Sequence, residues 1–148
     1  MNRCKLADTY HKQGYSCSQS VLAAFSDKTG LSVEDSFTLA GGFGGGTGSG
    51  ELCGALCGAV MVLGAVNPVD SSDPVASKRR VQQQGKELLK RFSDCFGYVR
   101  CADLLKNPNV ADEKVLASAH ALGLTKHCDI MINAAVEILE QMLTEQGK

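Results

Sequence analysis

The chain has 148 residues, of which 44% are hydrophobic and 21% are charged, and its formal net charge is only −1. These values predict one globular domain over residues 1–148 and argue against a nucleic-acid partner, which would favour a strongly basic chain. Arg3 and Lys5 are not followed by an apolar stretch, so no secretory signal is expected and the predicted location is cytoplasmic. The longest apolar run, residues 55–66, is shorter than the roughly 20 residues of a membrane-spanning helix.

Helices are predicted along the whole chain, because apolar residues recur at three- and four-residue spacing and no period-two strand pattern occurs. Gly14 and Gly30 are expected to end the first two helices, and Ser16 and Ser32 are expected N-caps, with Asp35 three positions after the second. The pattern predicts an all-α fold, a compact multi-helix bundle. Its predicted helices cover residues 2–13, 16–30, 32–39, 51–66, 74–92, 101–105, 115–122 and 128–146.

A glycine-rich segment, GGFGGGTGSG at residues 41–50, is predicted to be an irregular loop that leads into a buried central helix. Phosphate binding is disfavoured, because the GxGxxG register is not met, no Lys-Ser or Lys-Thr pair follows, and Glu51 adds a negative charge. Two interpretations stay open. Either the loop only packs helices together, or its backbone approaches a ligand or cofactor near Cys53, in which case the candidate cofactor-binding residues are Gly44, Gly45 and Gly46.

Seven cysteines are an unusually large number for a chain without an export signal. In a reducing compartment such a set indicates metal ligation or redox chemistry more often than a disulfide framework, and the odd number argues against complete pairing. Four of them are predicted to open helices, where free N–H donors and the helix dipole stabilise a thiolate and lower the cysteine pKa. These candidate catalytic residues are Cys17, Cys53, Cys101 and Cys128, and Arg100, Lys126 and His127 adjoin two of them.

The other three cysteines, Cys4, Cys57 and Cys95, are predicted to lie in the middle or towards the end of helices and are interpreted as core residues. Cys57 is the exception, because it follows Cys53 by four residues and shares its helical face, within reach of a common metal or disulfide partner. Among the isolated histidines, His127 is the one candidate ligand or base, since it precedes a helix-opening cysteine.

The short cysteine motifs of well-known cofactor sites are absent from the sequence. No CxxC occurs, which excludes a thioredoxin-type active site, and no CxxCH occurs for covalent haem attachment. Zinc-finger spacing and the ferredoxin pattern are also missing, so a transition metal or an iron-sulfur cluster would need ligands from distant segments. No Ser-His-Asp order or closely spaced carboxylate pair indicates hydrolytic chemistry.

Three sequence blocks occur together, GYSCSQSVL at residues 14–22, GGFGGG at 41–46 and GELCGA at 50–55. With these blocks the chain resembles the C-GCAxxG-C-C family of redox-active proteins, and Cys101 and Cys128 match the two later cysteines of that family. The resemblance implies a helical fold, similar to that of split-Soret cytochrome c, and an inferred redox role.

Two departures from the family pattern concern the central block, which is CGALCG at residues 53–58. Cysteine comes before glycine here, and Cys57 looks additional to the family's set. Cys53 is the expected second family cysteine. Because no haem attachment motif occurs, the resemblance to the cytochrome implies the fold and not the haem.

The leading hypothesis is a redox-active protein in which the four helix-opening cysteines converge and exchange electrons by dithiol–disulfide change. A second hypothesis is a non-catalytic module that binds a transition metal or an iron-sulfur cluster through Cys17, Cys53, Cys57, Cys101 and Cys128. A third is a structural or partner-binding domain with inert cysteines. The expected partner is a redox partner that the sequence does not identify. A homodimer is compatible with the sequence, and neither nucleic acid nor a membrane is expected.

Overall fold

The structure is a computed structural model and describes residues 2–107, 113–114, 117, 121, 123–124 and 126–148. Within these ranges the fold is an all-α bundle, as predicted. The described residues contain one isolated β-bridge and no β-strand. The helix predicted over residues 115–122 lies largely outside the described residues. The α-helices are α1 (Arg3–Lys12), α2 (Cys17–Ala24), α3 (Ser26–Thr29), α4 (Val33–Ala40), α5 (Gly54–Ala65), α6 (Pro74–Phe96), α7 (Cys101–Lys106) and α8 (His127–Glu145), with a π-helical turn at Gly46–Gly50.

Two helices begin at the N-caps that the sequence predicts. Ser16 caps α2 and forms a capping box with Gln19, because the Ser16 backbone N–H donates to Gln19 Oε1 at 2.9 Å while Ser16 Oγ accepts from the Gln19 N–H. Ser32 caps α4, and its Oγ accepts a hydrogen bond from the Asp35 N–H at 3.0 Å. Both starts depend on residues close in sequence, which explains why they were predictable.

Two other helix boundaries differ from the prediction. The second predicted helix breaks at Phe25, where φ is −107° and ψ is 20°, so only the single turn α3 reaches the left-handed Gly30. The central helix α5 begins at Gly54, three residues later than predicted, because Leu52, two residues before it, forms an antiparallel β-bridge with Arg100. A bridge to a distant segment leaves no local signal in the sequence.

The central helix α5 is the core of the bundle, as predicted. Its side chains Leu56, Val62 and Leu63 have no exposed surface. Helix α2 crosses α5 very closely at Gly58, where a Cβ atom would lie only 2.6 Å from the Ser18 carbonyl oxygen. This close crossing sets the position of the start of α2, and therefore of Cys17, relative to α5.

Helices α6 and α8 cover the sides of this core. On α8 the predicted apolar stripe is buried, and α6 extends one turn beyond its predicted end because Phe92 and Phe96 are both buried, with ring centroids 4.5 Å apart. None of the described helices combines the length and the apolar character that crossing a membrane requires. The buried stripe of α8 consists of Ile132, Val136, Leu139 and Leu143.

Candidate functional site

The four cysteines predicted to open helices do so in the structure. Cys17 is the first residue of α2, Cys53 is the N-cap of α5, Cys101 is the first residue of α7, and Cys128 is the second residue of α8. All four side chains line one cavity of about 160 Å³, which we call the thiol cavity. Helix starts that are far apart in the sequence therefore meet at one place.

Backbone pairing fixes two of these cysteines relative to each other. The Cys53 N–H donates to the Val99 carbonyl oxygen at 2.8 Å, and the Cys101 N–H donates to the Glu51 carbonyl oxygen at 2.6 Å. These two hydrogen bonds flank the antiparallel β-bridge that precedes α5. Because alternate residues of an extended segment share a face, Cys53 and Cys101 lie on the same side of the bridge.

A side-chain hydrogen bond joins the helices that carry Cys101 and Cys128. His127 Nε2 lies 2.9 Å from the Leu104 carbonyl oxygen. A carbonyl oxygen can only accept, so this ring nitrogen carries a proton. The bond ties the start of α8 to α7 and so keeps Cys128 near Cys101. His127 thus makes a structural contact, and its role as a ligand or base stays a prediction.

The glycine-rich loop combines close packing with one position on the cavity wall. A Cβ on Gly44 would lie 2.5 Å from Ser16 Cβ, and a Cβ on Gly46 would overlap the backbone of Glu51. Gly45 lines the thiol cavity, whereas Gly44 and Gly46 do not. Gly44 and Gly46 therefore fit the interpretation that the loop packs helices together, and cofactor binding stays a prediction.

Gly54, which lies outside this loop, allows the Cys17 side chain to pack closely against α5. A Cβ on Gly54 would overlap Cys17 Sγ and would lie 2.9 Å from the Phe43 carbonyl oxygen. Gly54 and its neighbour Ala55 both line the thiol cavity and were not predicted as site residues. The absence of a side chain at Gly54 lets the Cys17 sulfur lie directly against the start of α5.

Two apolar side chains complete the wall of the thiol cavity. Leu105 follows Cys101 by four residues, and Met131 follows Cys128 by three. Residues at these spacings share a helical face, so helix periodicity measured from each cysteine would have found both. Neither residue was among the predicted site residues, which were all cysteines or glycines.

The prediction that helix starts lower the cysteine pKa is wrong for three of the four. Burial raises the pKa of Cys53 to about 12 and charge on Cys17 adds to this shift, although N–H groups at the start of α5 act in the opposite direction. Burial and, after it, charge on Cys17 also raise the pKa of Cys101 and that of Cys128. Removal of a thiolate from water and repulsion between sulfurs exceed the stabilisation that a helix start provides.

Cys17 is the common neighbour of the other sulfurs in this region. Charge on Cys17 is a cause of the raised pKa of each of four thiols, namely Cys53, Cys57, Cys101 and Cys128. A thiolate at Cys17 therefore disfavours ionisation of all four. The cluster is suited to hold one negative charge at a time.

Cys57 belongs to this neighbourhood but not to the cavity wall. It is half-buried on α5, one turn after Cys53, and its Sγ lies 3.8 Å from the Leu52 carbonyl oxygen. Burial, followed by charge on Cys17, raises its pKa. The thiol cavity is lined by four cysteines, and Cys57 is not one of them.

Cys4 and Cys95 lie away from the cavity. Cys4 was predicted in the interior of a helix, but it is the second residue of α1, because that helix begins one residue later than predicted. Its buried Sγ donates to the Asn133 carbonyl oxygen at 3.9 Å. Cys95 is close to the end of α6, in the turn that extends beyond the predicted end at residue 92, and packs partly buried against the core. A helix start is therefore not sufficient to place a cysteine in the site.

The side chains of the cavity cysteines lie near one another but are not arranged as a metal-binding site. Within the described ranges of the chain, no group of three or more His, Cys, Asp or Glu side chains is arranged to hold a metal ion. None of the seven cysteines, all of which are described, is in a disulfide. A coordination geometry would therefore require the thiols to move.

The sequence model of one protein family matches residues 15–142, and that family is described as "Putative redox-active protein (C_GCAxxG_C_C)". The chain belongs to this family. The match confirms the resemblance stated from the sequence and covers all four cavity cysteines. No curated protein and no solved structure matches the chain. The similarity of the C_GCAxxG_C_C fold to split-Soret cytochrome c therefore stays a prediction.

Proposed function

We propose that the protein is a thiol redox protein whose reactive residues are Cys17, Cys53, Cys101 and Cys128. One observation carries this proposal: four thiols from four separate helix starts line a single cavity. A disulfide has an S–S bond of about 2.05 Å and Cβ atoms about 3.8 Å apart, so it can form only between cysteines that lie close together in the fold, as residues on the wall of one small cavity do. The family description, redox-active, belongs to the same class of function.

The electron exchange balances between the cysteine cluster and a redox partner. Two thiols lose two protons and two electrons as one S–S bond forms, and the electrons pass to an oxidised redox partner, such as a protein disulfide or a small oxidant. Reduction by a dithiol partner reverses the step. Because charge on Cys17 raises the pKa of its neighbours, one thiolate at a time would begin the exchange, and the neighbouring protonated thiols would complete the disulfide.

The alternative is a module that binds a transition metal or an iron-sulfur cluster through these cysteines, with Cys57 as a further ligand. Mutual repulsion between thiolates is the observation in its favour, because a cation would relieve it. Thiolate ligands favour soft metals such as Zn²⁺ and Cu⁺ or iron-sulfur clusters. The present arrangement of side chains argues against this alternative, since the thiols would have to move to coordinate a metal.

Thiol counting under anaerobic conditions tests the proposal. The protein is purified without oxygen, analysed for metals, and titrated for thiols in denaturant before oxidation, after mild oxidation and after renewed reduction. We expect seven thiols in the reduced chain and reversible loss of two or four on oxidation. Peptide mass mapping should place the new disulfides among the four cavity cysteines.

Single serine variants separate the site from the remaining cysteines. Each of Cys17→Ser, Cys53→Ser, Cys101→Ser and Cys128→Ser should change the number or the identity of the disulfides, whereas Cys4→Ser and Cys95→Ser should leave them unchanged. About one equivalent of bound metal would favour the alternative module. Seven titratable thiols after oxidation, without bound metal, would contradict both functions.

A further inference from the structure

The thiol cavity differs in chemical character from the larger clefts among the described residues. Besides its four cysteines, the described residues on its wall are small or apolar, and none of them carries a charged side chain. A larger cleft of about 410 Å³ is lined by Arg3, Asp27 and Glu140 and contains no cysteine. The residues that complete the wall of the thiol cavity are Gly45, Gly54, Ala55, Leu105 and Met131.

Two charged residues adjacent in sequence to cavity cysteines interact with residues that do not line the cavity. Arg100, which precedes Cys101, forms ion pairs with Glu51 at 3.3 Å and with Asp103 at 3.7 Å. Asp129, which follows Cys128, has its carboxylate oxygen 2.6 Å from His11 Nδ1. A charged molecule that entered the cavity would lose its hydration without gaining an ionic partner from the wall, which is strongly unfavourable.

The volume of the cavity limits the size of what can enter. Pockets for drug-sized ligands have volumes of about 300–1,000 Å³, and the thiol cavity has about 160 Å³. One water molecule occupies about 30 Å³ in the liquid. The cavity therefore accommodates a molecule of a few non-hydrogen atoms, and a peptide disulfide or oxidised glutathione is too large to be enclosed in it.

We propose that the thiol cavity admits a small, uncharged hydroperoxide as the oxidant of its cysteines. This inference rests on the proposed thiol redox function and names the class of oxidant for the same site. Cavity size and the uncharged sulfur-lined wall both favour such a molecule. Larger or charged oxidants react with the same sulfurs only where the side chains reach the surface.

The reaction balances with the hydroperoxide as the only added reactant. One cavity thiolate attacks the terminal oxygen of RO–OH, the O–O bond breaks, and the leaving alkoxide takes up the proton released by that thiol to become ROH. The product is a sulfenic acid, S–OH. A second cavity thiol then attacks the sulfenic sulfur, an S–S bond forms, and hydroxide leaves with the second thiol proton as water.

The sulfenic intermediate fits the cavity better than a mixed disulfide. Sulfenic acid formation adds a single oxygen atom to the sulfur and releases the rest of the oxidant, whereas exchange with a small disulfide leaves half of that molecule attached. Three other thiols line the same cavity and are the candidates to resolve the sulfenic acid.

Oxidation rates of the reduced full-length protein test the inference. Hydrogen peroxide, tert-butyl hydroperoxide and oxidised glutathione are compared under anaerobic conditions. Each rate of disulfide formation is divided by the rate for the same chain unfolded in urea, which removes differences in intrinsic reactivity. We expect both hydroperoxides to exceed oxidised glutathione by at least about tenfold on this scale, as for discrimination by a fitted apolar pocket.

A matched pair of variants tests whether the cavity itself selects the oxidant. Leu105 lines the cavity and is 55% exposed, whereas Leu39 lies on α4 and is 58% exposed, so tryptophan can be placed at either position without filling the core. In Leu105→Trp the ratio of the tert-butyl hydroperoxide rate to the hydrogen peroxide rate should fall about tenfold, because the narrower cavity excludes the larger molecule. In Leu39→Trp the ratio should not change.

The outcomes separate this inference from the proposed function. If disulfides form but oxidised glutathione is the preferred oxidant, or if both tryptophan variants keep the wild-type ratio, the hydroperoxide inference is overturned and the thiol redox function stands. If no oxidant produces a reversible disulfide among the cavity cysteines, the proposed function itself is contradicted.

Discussion

Cys4 and Cys128 occupy the same kind of position but different surroundings. Each is the second residue of its helix, and each has a raised pKa, for which burial is the main cause. Cys4 does not line the thiol cavity, and its thiol donates to the carbonyl oxygen of Asn133. Cys128 shares a cavity with three further thiols. The two cysteines differ in the groups around them and not in their place along a helix.

The charges near each thiol show the same difference. After burial, the pKa of Cys4 is raised by the carboxylates of Glu137 and Glu140. For Cys128 the next causes are charges on Cys17 and Cys101, followed by Asp129. A thiolate at Cys4 would be repelled by two glutamate carboxylates, whereas a thiolate at Cys128 would be repelled mainly by sulfurs, which are atoms that can form a disulfide. Convergence of thiols, more than the helix start, distinguishes the candidate site.

The largest predicted effect concerns alkylation of the two most perturbed thiols, Cys4 and Cys53. Burial raises the pKa of each from 9.0 to about 12. Since only the thiolate reacts, both should be alkylated by iodoacetamide at pH 8 about 1,000-fold more slowly than in the unfolded chain. Residue-specific mass spectrometry measures these rates. Fast modification of either residue in the native protein would contradict its burial.

A Cys17→Ser variant sharpens this measurement. Removal of the Cys17 charge should lower the pKa of Cys53 and increase its alkylation rate, because that charge is the second cause of the shift. Alkylation of Cys4 should be unchanged, since its pKa is raised by burial and by glutamates only. Equal changes at both residues would indicate general loosening of the fold, and the comparison between them would then fail.

The second predicted effect concerns packing at Gly54, which lines the thiol cavity. A methyl group in Gly54→Ala would overlap Cys17 Sγ, so we expect a loss of about 1–3 kcal/mol in the free energy of unfolding. Gly64→Ala on the same helix is the matched control, because the nearest atom to its Cβ is Val81 Cγ1 at 4.0 Å. The control should be neutral or more stable by up to about 1 kcal/mol. Urea unfolding of both variants measures the difference.

The third effect is a loss of stability at alkaline pH that arises from Cys53. The pKa of the Cys53 thiol is about 12 in the folded protein, above its ordinary value of 9.0 in the unfolded chain. Its contribution to stability is therefore fully present at pH values below the pKa of the unfolded chain. It is lost as the pH rises from there towards the pKa of the folded protein. Between pH 8 and pH 10 ionisation of the unfolded thiol should lower stability by about 1.4 kcal/mol. Cys53→Ala should lose less stability than wild type over this range. Identical pH dependence of the two proteins would contradict the shift.

The smallest effect concerns the side chains that flank the β-bridge near Cys101. Arg100 and Glu51 form an ion pair whose side chains are 50% and 60% exposed. Exposed ion pairs are screened by solvent and contribute little, so Arg100→Gln should leave the free energy of unfolding almost unchanged and disulfide formation intact. The backbone hydrogen bonds of the bridge are not altered by the substitution. Loss of disulfide formation would mean that Arg100 acts on the thiols directly.

Much of the fold followed from residues that are close together in the sequence. The apolar stripe of α8, the caps Ser16 and Ser32, and the buried helix α5 depend on local spacing and local hydrogen bonds, and they were predicted correctly. The start of α5 was not, because it depends on a β-bridge to a segment 48 residues away, between Leu52 and Arg100. Periodicity carries no information about such a contact.

The sequence by itself determined that this is a helical chain of the C_GCAxxG_C_C family in which four cysteines open helices. Only the tertiary structure decided that these cysteines share a cavity, that Cys4 at a similar helix start does not, and that burial raises the pKa values of three of the four. The physical reason is that hydration of a thiolate and repulsion between sulfurs depend on groups from distant segments, whereas a helix start depends on its neighbours in the chain.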